Sequence, residues 1–327
     1  MSRIEILYLS QPDIIALGLS MAEIIGLVEA ALREHGEGQV EMPPKPGIHP
    51  RPETFIHAMP AYLPRLGAAG LKWIGCFPEN PQRGLEQTTG VLVMNDPETG
   101  IPLAIMDAAW ITAMRTAAVT AIGARHLARP DSRVLGIVGA GVQGHTNLVA
   151  LAEVLPELRQ VKVTDRRPEA VTSYLAEMRP RFSRLTIEPV GSVEEAVKGS
   201  DVIVTATMFY LTSPLVRAAW FAPGAFAAPL EADYAWEPAA VKLADKFVTD
   251  DAEQTRYFAA HGCFPEGMPP LHAQLGEIVC GKKPGRERAD ERTMSICLGM
   301  ALEDVAVGRR LYDLARERGA GTRLPLT

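Results

Sequence analysis

The sequence predicts an α/β protein in which a doubly wound parallel sheet is joined to a smaller α+β unit. Two observations predict this fold class. Apolar strand patterns alternate with helical patterns through the middle of the chain, and an antiparallel hairpin precedes them. At 327 residues the chain is also too long for one ordinary core. We therefore expect two domains, one formed by residues 1–115 with 300–327 and the other by residues 116–299.

The N-terminal stretch predicts a helix beside antiparallel strands. A strand pattern at residues 4–9 precedes a helix that Ser20 and Glu23 begin as a capping box and that Gly36 ends. A Pro-rich loop at 42–52 follows. Four strand patterns come next, at residues 54–59, 70–76, 90–95 and 101–107. The turn Asp-Pro-Glu-Thr-Gly, residues 96–100, joins the last two as a hairpin.

The second stretch predicts parallel strands connected by helices. Strand patterns at residues 134–138, 161–164 and 202–207 alternate with helical patterns at 169–178 and 193–198, and Ser192 with Glu195 caps the latter. Such alternation indicates a parallel sheet with helices on both faces. One terminal helix is expected at residues 300–319.

Composition excludes several classes of protein. The balance of 47% hydrophobic and 22% charged residues is that of a folded chain. No run of Lys and Arg indicates a nucleic-acid surface, and we expect no membrane span and no secretory signal. The four cysteines form no CxxC pair, so we expect reduced thiols in a cytoplasmic protein. His261 with Cys263 lacks a second ligand pair, so no metal site is expected.

A glycine-rich turn predicts dinucleotide binding. Residues 139–144 read Gly-Ala-Gly-Val-Gln-Gly, directly after a strand and before a helix predicted at residues 145–154. Gly139 permits the tight turn, Gly141 lets the backbone approach a pyrophosphate, and Gly144 lets the helix pack on the strand. Val142 and Gln143 complete the predicted phosphate loop at a helix N-terminus. This is the Rossmann pattern, although a glycine-rich turn that binds nothing remains an alternative.

The acid that follows the next strand supports a nicotinamide cofactor. Asp165 lies 21 residues after Gly144, where a carboxylate accepts the ribose hydroxyls. It repels a 2′-phosphate and favours NAD, whereas Arg166 and Arg167 offer cations for NADP. We predict NAD and leave NADP open. The remaining candidate cofactor contacts are Thr205 and Thr207.

Several segments together resemble the ornithine cyclodeaminase/mu-crystallin family over nearly the whole chain. They are Gly-Leu-Lys-Trp at residues 70–73, Phe-Pro-Glu-Asn-Pro-Gln-Arg-Gly-Leu at 77–85, Thr-Ala-Met-Arg-Thr-Ala-Ala at 112–118, the turn at 139–144, the glycines at 281 and 285 with Arg286, and Ala-Leu-Glu-Asp at 301–304. The family contains cyclodeaminases, amino-acid dehydrogenases and ketimine or cyclic-imine reductases.

The resemblance implies roles for individual residues and a homodimer formed through the first domain. Lys72 and Arg115 correspond to a pair that holds the substrate α-carboxylate, with Lys45 as a third cation. Thr116 corresponds to a cofactor-phosphate contact, and Asp233 to the catalytic aspartate. Without the resemblance, Lys72, Arg115 and Asp233 are as readily explained as ordinary surface charges.

At three places this chain departs from the family pattern, and the departures bear on which reaction of the family it catalyses. Cyclodeaminases place a glutamate where this chain has His57, many members have two glycines where it has Glu231 and Ala232, and an Asp-Ser pair is replaced by Ile296 and Cys297. His57 is a candidate general acid near neutral pH, or a strand histidine satisfied by the backbone.

Because the cyclodeaminase glutamate is missing, we predict an NAD(P)-dependent amino-acid dehydrogenase or imine reductase. Asp233 and Lys72 are its candidate catalytic residues, and an α-amino or α-imino acid is its substrate. The alternatives are an ornithine cyclodeaminase and a non-catalytic ligand-binding protein. Six aromatic side chains are candidates for the pocket or the core: His57, Trp73, Phe209, Tyr210, Tyr234 and Trp236.

Overall fold

The computed structural model describes residues 4–208, 211, 213–231, 235–264 and 266–327. The chain divides into two compact units, Met1–Arg115 with Gly299–Thr327 and Thr116–Leu298, which we call unit 1 and unit 2. No helix in these described ranges combines the length and apolar character needed to cross a membrane.

The strands of the described residues form one sheet in each unit. In chain order they are β1 (Glu5–Leu9), β2 (Gly47–Ile48), β3 (Phe55–Leu63), β4 (Ala68–Cys76), β5 (Thr88–Asn95), β6 (Pro102–Asp107), β7 (Val134–Val138), β8 (Gln160–Thr164), β9 (Thr186–Pro189), β10 (Val202–Thr205), β11 (Phe226–Pro229), β12 (Lys246–Thr249), β13 (Leu271–Gln274), β14 (Thr293–Ile296) and β15 (Thr322–Pro325).

The helices of the described residues connect these strands, and some of them begin at a side-chain cap. They are α1 (Gln11–Ala16), α2 (Met21–Gly36), α3 (Ala109–Leu127), α4 (Val142–Val154), α5 (Pro168–Arg181), α6 (Val193–Val197), α7 (Pro238–Lys242), α8 (Ala252–Ala260), α9 (Leu275–Val279) and α10 (Ala301–Arg318). The Ser20 hydroxyl accepts from the Glu23 N–H at the start of α2, and Ser192 does the same for Glu195 at α6, so both predicted caps are confirmed.

Unit 1 is an α+β layer. Its sheet has the order β15-β1-β6-β5-β4-β3-β2, antiparallel throughout except for the parallel pair β1–β6. One face packs against α10, which itself packs on α2. The approach is close, because a Cβ added to Gly308 would lie 2.3 Å from Leu92 Cδ2. Leu92, Met94 and Met106 are buried on this face, whereas Trp73 and Val91 are exposed on the opposite one.

Unit 2 is a doubly wound parallel sheet, as predicted. Its order is β13-β12-β14-β11-β10-β7-β8-β9, and every adjacent pair is parallel. The chain proceeds from β7 through β8 to β9, then returns to place β10 on the other side of β7. The strand order therefore reverses between β7 and β10, which is where ligands bind in folds of this kind.

Several predicted boundaries differ from the structure, and three of the differences have a clear physical reason. Strand β3 continues through Pro60 to Leu63. On the edge where the N–H of residue 60 would point, Ala58 donates to the Pro46 carbonyl and Tyr62 to the Glu41 carbonyl, and no strand pairs between these points. The missing N–H of Pro60 therefore breaks no hydrogen bond of the sheet. The predicted loop at 42–52 contains β2, which pairs with β3. Helix α4 begins at Val142, three residues earlier than predicted, because Gly141 is its N-cap.

Candidate active site

A buried cluster of cations and carboxylates lies in unit 1. Lys72, on β4, points toward the helix-covered face of the sheet and is fully buried. Its Nζ lies 2.7 Å from Asp304 Oδ2 and 3.2 Å from Thr112 Oγ1, to which it donates. Burial and the neighbouring cations lower the pKa of Lys72 to about 7, even though Asp304 acts in the opposite direction. The ammonium form therefore depends on Asp304.

Arg115 is held by two acids from the first turn of α10. Its Nη1 donates to Glu303 Oε2 at 2.7 Å and its Nε to Asp304 Oδ1 at 3.1 Å. Both carboxylates are fully buried. Charge-assisted hydrogen bonds at two points fix the plane of the guanidinium. Asp304 thus joins Lys72 and Arg115 into one unit.

The backbone of Gly299 packs against the cluster. Its φ is +83°, and a Cβ there would lie 2.5 Å from Arg115 Nη1. Its carbonyl oxygen accepts a hydrogen bond from Lys45 Nζ at 3.2 Å, and Lys45 is buried. The structure therefore brings the three predicted cations Lys45, Lys72 and Arg115 into one cluster.

His57 lies beside these cations but in the neutral form. Burial, followed by the charges of Lys45, His49 and Lys72, lowers the pKa of His57 to about 3. Its ring stacks on Phe55 with 4.1 Å between centroids. At that pKa the imidazolium is not populated near neutral pH, which favours a neutral strand histidine over a general acid. The neutral ring adds no charge to the cluster.

The charges of the cluster indicate which kind of ligand it suits. Among the residues that the structure describes, the three cations Lys45, Lys72 and Arg115 lie with the two carboxylates of Glu303 and Asp304. Buried charges are costly unless they are paired. A cluster that combines several cations in this way suits an anionic ligand such as a carboxylate.

The glycine-rich turn of unit 2 has the geometry of a phosphate loop. A Cβ on Gly139, which has φ +109°, would lie 2.3 Å from the Ala206 carbonyl oxygen, and one on Gly144 would lie 2.2 Å from the Gly139 carbonyl oxygen. Those two positions require glycine. Gly141 differs, because a Cβ there meets nothing within 4 Å. It borders open space at the N-terminus of α4, with Val142 64% exposed, and Gln143 follows in the same turn.

Asp165 follows β8 and braces the same turn. Its Oδ2 accepts from the Ala140 N–H at 2.9 Å, and its Oδ1 accepts from the Arg167 N–H at 2.9 Å. The Arg167 side chain pairs with this carboxylate, while Arg166 is exposed. Asp165 therefore lies at the carboxyl end of β8, the strand beside β7, and Arg167 is the neighbouring arginine that pairs with it.

Other predicted cofactor residues lie in different settings. Thr116 is half-buried in α3, and Thr207 lies two residues after the end of β10. Thr205 is fully buried, and its hydroxyl donates to Glu231 and accepts from Trp236 Nε1, so its side chain supports the strand end. Asp233 lies outside the described residues, as do Phe209, Tyr210 and Tyr234.

The remaining aromatic candidates are placed clearly. Trp236 is buried against Phe221 in the core of unit 2. Trp73 is 42% exposed on the sheet face opposite to Lys72, since adjacent residues of a strand point to opposite faces. It therefore does not share the Lys72 cluster.

Sequence reasoning missed the roles of three acids. Glu303 and Asp304 were noted only as part of a family segment, and Glu231 only as a departure from glycine. Their signal is a pair of adjacent acids in the apolar first turn of a helix, and an acid after a buried strand. Both settings bury a charge, which usually means a specific partner.

Comparisons with known proteins agree over nearly the full length. The sequence model of the ornithine cyclodeaminase/mu-crystallin family matches residues 8–319. The alanine dehydrogenase of Archaeoglobus fulgidus is 35% identical over 330 residues, which cover 98% of each chain.

Solved structures give the same result. The Δ1-pyrroline-2-carboxylate reductase of Thermococcus litoralis, in complex with NADH and L-proline, matches with a TM-score of 0.87 and 32% identity, over 97% of this chain and 99% of that one. An archaeal alanine dehydrogenase dimer with bound NAD matches with a TM-score of 0.86 and 33% identity, over 99% of this chain and 100% of that one.

Proposed function

This chain belongs to the ornithine cyclodeaminase/mu-crystallin family, and we propose that it is an NAD-dependent oxidoreductase acting on an α-amino acid or the corresponding imine. The observation that carries the proposal is the buried cluster of Lys45, Lys72 and Arg115, whose cationic groups suit one α-carboxylate. The related proteins named above act on substrates of this class.

Each residue of the cluster has a distinct task in this proposal. Lys72 supplies a point charge, and Arg115, oriented by Glu303 and Asp304, supplies a planar fork for the carboxylate. A fixed carboxylate leaves the α-carbon in one orientation, which lowers the entropic part of the barrier. Asp233 manages protons at the substrate nitrogen. Replacing Asp233 by Asn should abolish turnover while carboxylate binding remains.

The cofactor half of the proposal rests on unit 2. When bound, the nicotinamide donates or accepts a hydride at C4. Gly141 and the N-terminus of α4 would receive the pyrophosphate, and Asp165 would receive the ribose. We infer NAD and not NADP, because Asp165 would repel a 2′-phosphate and because Arg167 already pairs with Asp165. We place the enzyme in the cytoplasm, because four cysteines without a CxxC pair are typical of a reducing compartment.

A cyclodeaminase is the second candidate, and His57 argues against it. Cyclisation requires a second amino group of the substrate to be held and steered. A neutral, half-buried imidazole beside Lys45 offers no negative charge for an ammonium group. A glutamate at this position would.

We also propose a homodimer formed through the open face of the unit 1 sheet. Tyr8, Trp73 and Val91 are exposed there, and Leu71, Val93 and Ile105 are half-buried. An apolar sheet face of this extent is typical of an interface. Val91→Glu should lower the mass measured by analytical ultracentrifugation, whereas Leu243→Glu, an equally exposed site in unit 2, should leave it unchanged. A monomeric wild type would overturn this proposal.

One assay distinguishes the candidate functions. NADH and NADPH absorbance is followed with keto acids plus ammonia or methylamine and with cyclic imines, and ornithine is tested separately for proline. Consumption of NADH is expected, and Lys72→Met should abolish it while Lys198→Met, an exposed site, does not. Proline formation without net cofactor loss would identify a cyclodeaminase. Cofactor binding without either reaction would identify a ligand-binding protein.

A further inference from the structure

A buried acid lies at the carboxyl end of the parallel sheet in unit 2 and has no task in the proposed reaction so far. Glu231 follows β11 and is only 2% exposed. Strand β11 pairs with β10, and β10 pairs with β7, the strand that leads into the glycine-rich turn. The carboxylate therefore lies among the ends of three adjacent parallel strands.

Hydrogen-bond donors surround Glu231, and no cation does among the described residues. Thr205 Oγ1 donates to Oε2 at 2.7 Å, Thr207 Oγ1 donates to Oε1 at 2.6 Å, and the Thr207 N–H donates to Oε1 as well. Trp236 Nε1 donates to Thr205 Oγ1 at 3.1 Å, which leaves the Thr205 hydrogen for Glu231. Three donors on two oxygens suit the ionised carboxylate, although burial raises the pKa of Glu231.

The segment that Glu231 holds also touches the cofactor turn. A Cβ on Gly139 would lie 2.3 Å from the Ala206 carbonyl oxygen, so residues 205–207 pack directly against the turn. Asp165 follows β8, on one side of β7, and would receive the ribose of the adenosine. A dinucleotide that crosses the switch point then extends its nicotinamide toward β10 and β11. Glu231 lies at that end.

We propose that Glu231 tunes the redox preference of the bound cofactor, stabilising the positively charged oxidised nicotinamide relative to the neutral reduced ring. The proposal rests on the proposed function, since it requires NAD to bind in unit 2. Glu231 has no cationic partner in the described part of the chain, and a buried carboxylate is weakly screened, so its charge acts beyond its hydrogen-bond partners. Because hydride donation creates positive charge on the ring, the carboxylate also favours donation by NADH to the imine.

Binding measurements test this without turnover. Dissociation constants for NAD⁺ and NADH are measured by calorimetry for the wild type and for Glu231→Gln, which keeps the shape and removes the charge. The ratio Kd(NAD⁺)/Kd(NADH) should rise about fivefold or more, an effect that one buried charge can produce at an effective dielectric constant of about 20. Glu231→Asp keeps the charge and should leave the ratio within about twofold, even if both constants increase.

Two controls keep the test decisive. Glu188→Gln removes an exposed charge from β9 and should change neither constant. If Glu231→Gln does not fold, Glu231→Gly also removes the charge, and the same rise in the ratio is expected.

The outcomes separate two failures. Equal changes in both constants, or an unchanged ratio, would overturn the redox proposal and leave Glu231 as a residue that only positions the 205–207 segment. A wild type that binds neither NAD⁺ nor NADH would overturn the proposed function itself.

Discussion

Replacing Asp304 by Asn tests how the carboxylate site is charged. The Asp304 carboxylate lies 2.7 Å from Lys72 Nζ and 3.1 Å from Arg115 Nε, and all three side chains are buried. At an effective dielectric constant of about 20, one unit-charge pair at the shorter distance is worth about 6 kcal/mol. Asn retains the shape and part of the hydrogen bonding, and removing one partner of a buried pair costs about 3–5 kcal/mol.

The lost interaction energy mainly destabilises the protonated form of Lys72. A loss of about 3 kcal/mol lowers the pKa of Lys72 from about 7 to about 5. At pH 7 the ammonium fraction then drops from about one half to about one in a hundred. Since the ammonium form binds the carboxylate, we expect KM for the amino or imino acid to rise about tenfold or more, with Kd for NADH unchanged. Lowering the pH toward 5 should restore part of the affinity.

The assay compares Asp304→Asn with a matched control. Asp313→Asn makes the same change on the same helix, but Asp313 pairs with Arg309 at the surface, where such pairs contribute about 0–1 kcal/mol. Steady-state KM is measured between pH 5 and 9, together with the melting temperature. A KM for Asp304→Asn within twofold of the wild-type value, with an unshifted pH profile, would refute the link between Asp304 and Lys72.

Three further predictions follow from the two sites. The folded-state pKa of Lys72 lies near 7, below its ordinary value, so kcat/KM for the carboxylate substrate should fall as pH rises above about 7. The free energy of unfolding should rise between about pH 7 and 10.5, because the penalty for a buried ammonium disappears. A flat pH–rate profile would contradict the role given to Lys72. Gly141→Ala should fold with wild-type stability yet bind NADH at least about tenfold more weakly, measured by fluorescence titration, because its methyl group enters the space meant for phosphate. Gly144→Ala should instead lower the melting temperature, because its Cβ meets the Gly139 carbonyl; equal effects of the two alanines would show that the turn is not a phosphate loop.

The glycine-rich turn and the parallel sheet were predictable because their signals are local. Gly139 and Gly144 stand where the backbone leaves no room for a Cβ, and the strand-helix alternation fixes the parallel pairing. The extent of β3 was not predictable, since Pro60 is tolerated only because no neighbouring strand pairs with it on its N–H side.

The charge state of the site also required the structure. Nothing local to Lys72 shows that its ammonium shares Asp304 with Arg115, and nothing local to His57 shows that the imidazole stays neutral. The shared carboxylate arises from a contact between residues 189 positions apart, Arg115 and Asp304. The neutral imidazole arises from burial and from the nearby cations. Family resemblance named the cations, whereas burial determined their protonation.

The left-handed glycine at position 299 has a consequence for how this enzyme can diversify. Any side chain there would both strain the backbone and displace the guanidinium of Arg115, while shifting the carbonyl that receives Lys45. Random mutagenesis libraries should therefore return position 299 unchanged in every active clone, whichever substrate is selected. Laboratory evolution toward a new amino acid would have to reshape the walls around the carboxylate anchor and leave the anchor itself intact.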